Sequence, residues 1–175
     1  MFSFIYKKNK ILKNVFTIYS SYFKDDRGYL FTQFNNKIKR KFIKKNFSNI
    51  DDKFIIRKKN SLTGIHGDTK TWKLLSCISG KIEVALVNCN TKSQKFGKYS
   101  KLILSGDDFK SILIPPLIGN SYLCLSKKTI VYYKLFYNGS YIDKDDQFTY
   151  SWRDKRFNIK WSRKKNLILS KRDDI

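Results

Sequence analysis

The stretch from Leu62 to Lys73, Leu-Thr-Gly-Ile-His-Gly-Asp-Thr-Lys-Thr-Trp-Lys, is the densest grouping of chemically capable side chains in this 175-residue chain. It holds the only histidine, His66. A neutral imidazole can take and return a proton near neutral pH, so His66 is a candidate base; a lone histidine is also an ordinary structural or surface residue, and its type alone leaves both readings open. Lys73 lies in the alternating run Trp72-Lys73-Leu74-Leu75 and shares a face with Leu75 and Cys77. Facing inward, its ammonium would need an anion or a developing negative charge, because an unpaired buried charge is costly; facing outward it would be a solvated lysine. Alternation allows either.

Composition narrows the chemistry. One histidine cannot furnish the several imidazoles that a mononuclear metal site in a β-barrel draws on, which argues against a zinc or iron enzyme. Basic residues number 37 against 14 acidic ones, a net charge of +23. Thirty of them are lysine and seven arginine, scattered over Lys7 to Lys10, Lys37 to Lys45, Arg57 to Lys59, Arg163 to Lys165 and Lys171-Arg172. A reader of nucleic-acid sequence gathers its charge on one face and favours arginine, so this distribution implies affinity for anions in general and no specific nucleic acid. No apolar run approaches the roughly 18 residues that would span a bilayer. The basic pair Lys7-Lys8 follows the short apolar start instead of preceding it, unlike a secretory leader. Cys77, Cys89 and Cys124 form no CxxC pair and are odd in number, pointing to reduced thiols and a cytoplasmic protein.

The elements that must position these groups read as β-structure. Ala85 is the only alanine, while β-branched and aromatic residues abound. Turn signals recur at Asp25-Asp26-Arg27-Gly28, Ser79-Gly80, Asn88 to Thr91, Ser105-Gly106-Asp107 and Asn138-Gly139. Between them, strands are predicted over 71–78, 81–87, 99–104, 109–114 and 129–136. The spacing predicts a short amphipathic helix over 34–47, where Phe34, Ile38, Phe42 and Ile43 recur among basic residues; such a helix packs on its own domain or lies on a membrane surface. The expected architecture is all-β, an antiparallel sandwich or barrel forming a single domain over 1–175. An N-terminal β arm and short helix would occupy 1–50, the barrel core 51–140 and a C-terminal segment 141–175.

A series of ordered motifs adds to this reading. Phe23-x-Asp25-x-Arg27-Gly28-Tyr29, Gly64-Ile65-His66 followed by Lys73-Leu74, Gly80, and Ser93-x-x-Phe96-Gly97 come in sequence. Ile114-Pro115-Pro116, Tyr133-Lys134, Trp152-x-Asp154, Ile159-x-Trp161 and Leu169-Ser170-x-x-Asp173 follow. Each is weak alone; in this order the chain resembles the dTDP-4-dehydrorhamnose 3,5-epimerase family of nucleotide-sugar epimerases. His66-Gly67-Asp68, Lys70-Thr71, Gly119-Asn120 and Asp146 to Tyr150 are similar to the branch acting on GDP-linked 6-deoxy-4-keto-heptoses. In that branch Asn stands in place of a second active-site histidine.

The resemblance implies a metal-free, cofactor-free jelly-roll (cupin-like) barrel, a homodimer with exchanged N-terminal arms, and a nucleoside-diphosphate 4-keto-6-deoxy sugar as substrate. The reaction implied inverts C3, or C3 and C5, in the making of surface-polysaccharide sugars. His66 would be the base and Asp173 its supporting carboxylate, Lys73 would face the enolate oxygen, and Tyr133 would donate a proton from the opposite side. Asn120 and Asp68 would contact the substrate, and Arg27, from a partner's arm, would hold the pyrophosphate. Thr63 occupies the place of the family's Arg before Gly-x-His, so Arg57 or a nearby Lys is the expected stand-in at the phosphates. Thr32 and Val84 likewise replace acidic residues of the family pattern. Without the resemblance, Asp173 reads as solvated tail, Tyr133 as strand packing, Asn120 as a turn residue, and Trp152 and Trp161 as core or nucleotide-stacking residues. Two rival readings stand beside the enzyme: a catalytically lapsed sugar-nucleotide-binding barrel, and a basic nucleic-acid-binding protein.

Overall fold

The computed structural model describes residues 3–43, 45–140 and 147–174. Among them are thirteen strands and one helix: β1 (Phe4–Lys8), β2 (Phe16–Ser20), β3 (Tyr22–Asp25), β4 (Gly28–Phe31), α1 (Asn36–Phe42), β5 (Asn49–Lys58), β6 (Ile65–Gly67), β7 (Trp72–Ser79), β8 (Lys81–Asn88), β9 (Tyr99–Ser105), β10 (Lys110–Ile114), β11 (Ile118–Cys124), β12 (Lys128–Tyr137) and β13 (Phe148–Tyr150). A six-stranded sheet runs β1-β2-β10-β7-β12-β5 and a five-stranded sheet β13-β6-β11-β8-β9. Their strand pairs are antiparallel, and the two sheets pack as the expected jelly roll.

Alternation assigns the faces. Leu75 and Cys77 of β7 and Val131, Tyr133, Leu135 and Tyr137 of β12 meet Ile82, Val84 and Leu86 of β8 and Tyr122 and Cys124 of β11 in the layer between the sheets. The outer faces are covered as well. Ile65, Ala85, Val87 and Leu123 on the back of the five-stranded sheet pack under Phe157, Ile159 and Trp161 of the C-terminal segment. Leu74, Leu113 and Phe136 on the back of the six-stranded sheet pack under Ile38 and Ile43. A strand covered on both faces reads as an unbroken apolar run, as Val84 to Val87 does.

The helix is shorter than its apolar spacing predicts. The Asn35 side chain caps it, accepting from the backbone N–H groups of Lys37 and Ile38, and it closes at Ile43. Its first turn has no acidic residue to answer the basic series, and Lys37 and Lys41, four apart, repel on one face. Its apolar side rests on the sheet, not on a membrane. Among the described residues no helix is long and apolar enough to cross a bilayer.

β1 pairs with β2, and β2 with β10, so both belong to this chain's own sheet. Only the β3–β4 hairpin stands apart, leaning on Phe109 through Tyr22, Tyr29 and Phe31 while Phe23 and Leu30 stay exposed. At the β7–β8 hairpin Gly80 has φ +81, and a Cβ there would meet the Lys128 carbonyl at 2.6 Å, which explains a glycine at this turn.

Candidate active site

A cavity of about 550 Å³ opens between the sheets, with His66 and Asn120 on the five-stranded wall and Lys73 and Tyr133 on the six-stranded wall. The short strand β6 sits between β11 and β13, with His66 opposite Asn120 on one side and Thr149 on the other. Ile65 is wholly buried in the outer layer, so alternation turns His66 inward.

Asp173 reaches His66 because the C-terminal segment docks beside it. Ile168 bridges Ser61, its N–H bonds the Asn60 carbonyl, and its carbonyl accepts from Leu62 N–H. The tail then turns at Ser170 and buries the Asp173 carboxylate, whose Oδ1 lies 2.6 Å from His66 Nε2. Ser170 Oγ donates to Oδ2 at 2.7 Å. Burial pushes the carboxyl pKa up, but the hydrogen bonds from His66, Ser170 and the Gly64 backbone outweigh it, leaving Asp173 below the usual value and ionised. An ionised carboxylate only accepts, so Nε2 carries the hydrogen and Nδ1 of the neutral ring keeps the lone pair. Gly64 has a local reason: a Cβ there would come within 2.7 Å of Asp173 Oδ1.

Lys73 faces inward. Its Nζ lies 3.3 Å from Asp68 Oδ2, while Asp68 Oδ1 accepts from the backbone N–H groups of Lys70 and Thr71 at 3.0 and 2.6 Å. Burial lowers the Lys73 pKa, with Asp68 opposing and Arg172 and Lys53 adding to the fall. Tyr133 projects from the opposite sheet to His66, and its hydroxyl oxygen accepts from Asn120 Nδ2 at 2.8 Å. Asn120 is a buried residue in the middle of β11, not a turn residue, and its Oδ1 has no hydrogen-bond partner among the described residues. Arg57 lines the cavity from β5, beside Tyr122; burial takes the Tyr122 phenol up to about 12, with Arg57 pulling the other way.

Thus His66, Asp173, Lys73, Tyr133, Asn120 and Arg57 are brought together. One substrate contact expected within this chain's own cavity is not. Asp68 is buried behind Lys73 and its carboxylate is committed, so it holds Lys73 in place and does not line the cavity. Arg27 lies at the turn of the β3–β4 hairpin, exposed and paired with Asp25, away from this chain's cavity. Thr63 lines the cavity, but its hydroxyl accepts from Tyr122 N–H and its carbonyl from Ser121 Oγ, so it serves the backbone. Val84 belongs to the core, Trp161 is buried in the outer layer and Trp152 packs against that layer. Asp146 lies outside the described residues. The three cysteines are buried free thiols; burial lifts Cys89 to about 12 and Cys77 and Cys124 to about 11, so they stay protonated.

Sequence reasoning missed Lys53, Gln147 and Arg172 on the cavity wall and Thr149 beside His66. Alternation with Arg57 on β5 was the available signal for Lys53. Arg172 is marked only by adjacency to Asp173. Lys53, Arg57, Lys73 and Arg172 make the cavity strongly cationic, suited to an anionic ligand.

A family model described as dTDP-4-dehydrorhamnose 3,5-epimerase matches residues 9–175. The chain is 28% identical to dTDP-4-dehydrorhamnose 3,5-epimerase of Escherichia coli K12 over 166 residues, 93% of this chain and 88% of that protein. Among solved structures, the Bacillus anthracis enzyme with TDP and PPi bound has a TM-score of 0.87 at 24% identity, covering 99% of this chain and 98% of that one. The dTDP-6-deoxy-D-glucose-3,5-epimerase of Legionella pneumophila, in complex with dTDP-4-keto-L-rhamnose, has a TM-score of 0.86 at 23% identity, covering 99% and 90%. At these identities the structural likenesses show the fold.

Proposed function

The chain belongs to the dTDP-4-dehydrorhamnose 3,5-epimerase family, and from that premise we propose that it inverts C3, or C3 and C5, of a 4-keto-6-deoxy sugar nucleotide with His66 as the base. The observation that carries this reading is the hydrogen-bonded His66–Asp173 pair facing, across one cavity, a tyrosine on the other sheet.

The C4 carbonyl of such a sugar acidifies the C–H bonds at C3 and C5. His66 Nδ1 takes the proton, and the C–H electron pair moves into an enolate with its charge on O4. Asp173 stabilises the imidazolium through Nε2–H, as a carboxylate supports a catalytic histidine elsewhere. Lys73, held by Asp68, meets the developing O4 charge, which a preorganised cation in a water-poor pocket stabilises strongly. Tyr133 returns a proton to the opposite face and inverts the centre. Asn120 Nδ2 donates to the phenol oxygen and so holds the Tyr133 hydroxyl at the cavity wall facing His66.

Arg57 and Lys53 hold the diphosphate, with Arg57 taking the part that Thr63 cannot. We further infer a cytoplasmic homodimer in which the β3–β4 hairpin, the part of the N-terminal region outside this chain's two large sheets, carries Arg27 to the partner's cavity. The product would serve surface-polysaccharide synthesis.

The test is deuterium wash-in. Incubated in D2O with dTDP- and GDP-linked 4-keto-6-deoxy sugars, the protein is expected to label C3 in at least one of them. Nucleotide binding with no label in either would overturn the epimerase reading in favour of a binding-only barrel.

A further inference from the structure

Thr149, to which the sequence alone assigned no separate task, stands against the ring nitrogen that the proposed reaction uses. Its Oγ1 lies 3.2 Å from His66 Nδ1. The same oxygen accepts twice from Arg172, from Nη2 at 2.6 Å and from Nε at 3.2 Å. Arg172 is itself tied by a bond from Nη2 to Gln147 Oε1 at 3.2 Å. The placement is set by the ladder: Thr149 is directly opposite His66 in the β6–β13 register, so the two side chains share a face.

The hydrogen-bond inventory then has one solution. A hydroxyl has one donor hydrogen and two acceptor positions, and an arginine at neutral pH only donates. Arg172 fills both acceptor positions of Thr149, so the hydroxyl hydrogen is the only thing Thr149 can offer His66. We propose that Thr149, locked by Arg172, is a positioning residue that donates to His66 Nδ1 and holds the resting imidazole in the Nε2–H form with its lone pair aimed along the cavity wall. The proposal rests on His66 being the base and extends it. The contact belongs to the resting state: as substrate approaches, the Thr149 hydroxyl swings off the Nδ1 lone pair, the C–H bond then breaks with its proton passing to Nδ1 and its electron pair to O4, and the imidazolium N–H exchanges with solvent.

Because His66 is the only histidine, a ring-15N-histidine sample gives one pair of ring signals and needs no substrate. At about pH 8, where an ordinary imidazole is neutral, wild type is expected to show a protonated Nε2 and an unprotonated Nδ1 displaced by hydrogen bonding. Thr149→Val, of equal shape and no hydroxyl, is expected to move Nδ1 to the position of a free ring nitrogen, and Thr149→Ser to restore it. Wash-in should fall about tenfold in Thr149→Val, the scale of losing alignment at a reacting group, and recover in Thr149→Ser. A protonated Nδ1 in wild type, or an Nδ1 signal unmoved in Thr149→Val, would overturn the proposal. If the valine variant does not fold, the wild-type tautomer and the serine variant still decide it. The spectra are independent of turnover, so the expected tautomer in a protein that exchanges no deuterium would sink His66 as base while leaving the Thr149 contact in place.

Discussion

The two walls of the cavity are built differently. Lys73 and Tyr133 sit on β7 and β12, strands of eight and ten residues paired on both edges within the six-stranded sheet. His66 sits on β6, three residues long, and depends for its orientation on a carboxylate delivered by the C-terminal tail. One wall is fixed by a continuous hydrogen-bonded ladder; the other is assembled from a short strand, a glycine approach and a docked segment. The difference teaches that the positions of the proposed oxyanion cation and proton donor are properties of the fold, whereas that of the proposed base is a property of the tail's docking.

The most damaging change should therefore be on the tail wall. Asp173→Asn keeps the shape but lets the amide donate, which favours the wrong tautomer; wash-in at C3 is expected to drop on the order of 10³-fold, with the circular dichroism of the sheets unchanged. Retained exchange would mean that the tail is not needed by the base. On the ladder wall, Lys73→Met removes the cation at O4 and should lower kcat about 10²- to 10³-fold with little change in KM. An effect mainly on KM would mark Lys73 as a binding group. Gly64→Ala probes the joint between tail and base: the added Cβ must displace the Asp173 carboxylate, and exchange is expected to fall about tenfold while thermal stability stays near wild type. Loss of fold with no specific change at His66 would break this account of Gly64.

Smallest is the effect of acid on docking. Because the folded pKa of Asp173 is depressed, its contribution is present above the carboxyl's unfolded value and is lost as pH falls through the folded one. Below about pH 4, the ordinary carboxyl range, hydrogen exchange should therefore rise first over 167–174 and only later over β7 and β12. Simultaneous loss over both walls would contradict the division drawn above.

Much of the ladder wall was legible in the chain. Thr71 to Ile78 and Thr129 to Phe136 read as strands from their length and their β-branched and aromatic residues between turns; one face of each meets the inter-sheet layer and the other the outer packing. Alternation placed Lys73 with Leu75 but could not say which face was inner, since both are apolar; only packing against the second sheet decides it. The tail wall was not legible from local pattern. Nothing in Leu167 to Asp174 shows that Ile168 will bridge Ser61, a contact across more than a hundred residues, and it was the family motif that pointed to Asp173. Asn120, which follows a glycine as turn residues do, is in a strand because β11 is clasped by β6 and β8 on its two edges. The resemblance made Asp68 a substrate contact; two backbone N–H groups and Lys73 claim it first.

The most direct test of the two-wall account compares Tyr133→Phe with His66→Asn in D2O, reading both the label and the configuration at C3. If the tail wall abstracts and the ladder wall returns the proton, Tyr133→Phe will place deuterium in substrate that keeps its configuration while forming little epimer, and His66→Asn will do neither. Exchange that survives in His66→Asn and vanishes in Tyr133→Phe would contradict the account, because the base would then lie on the other sheet.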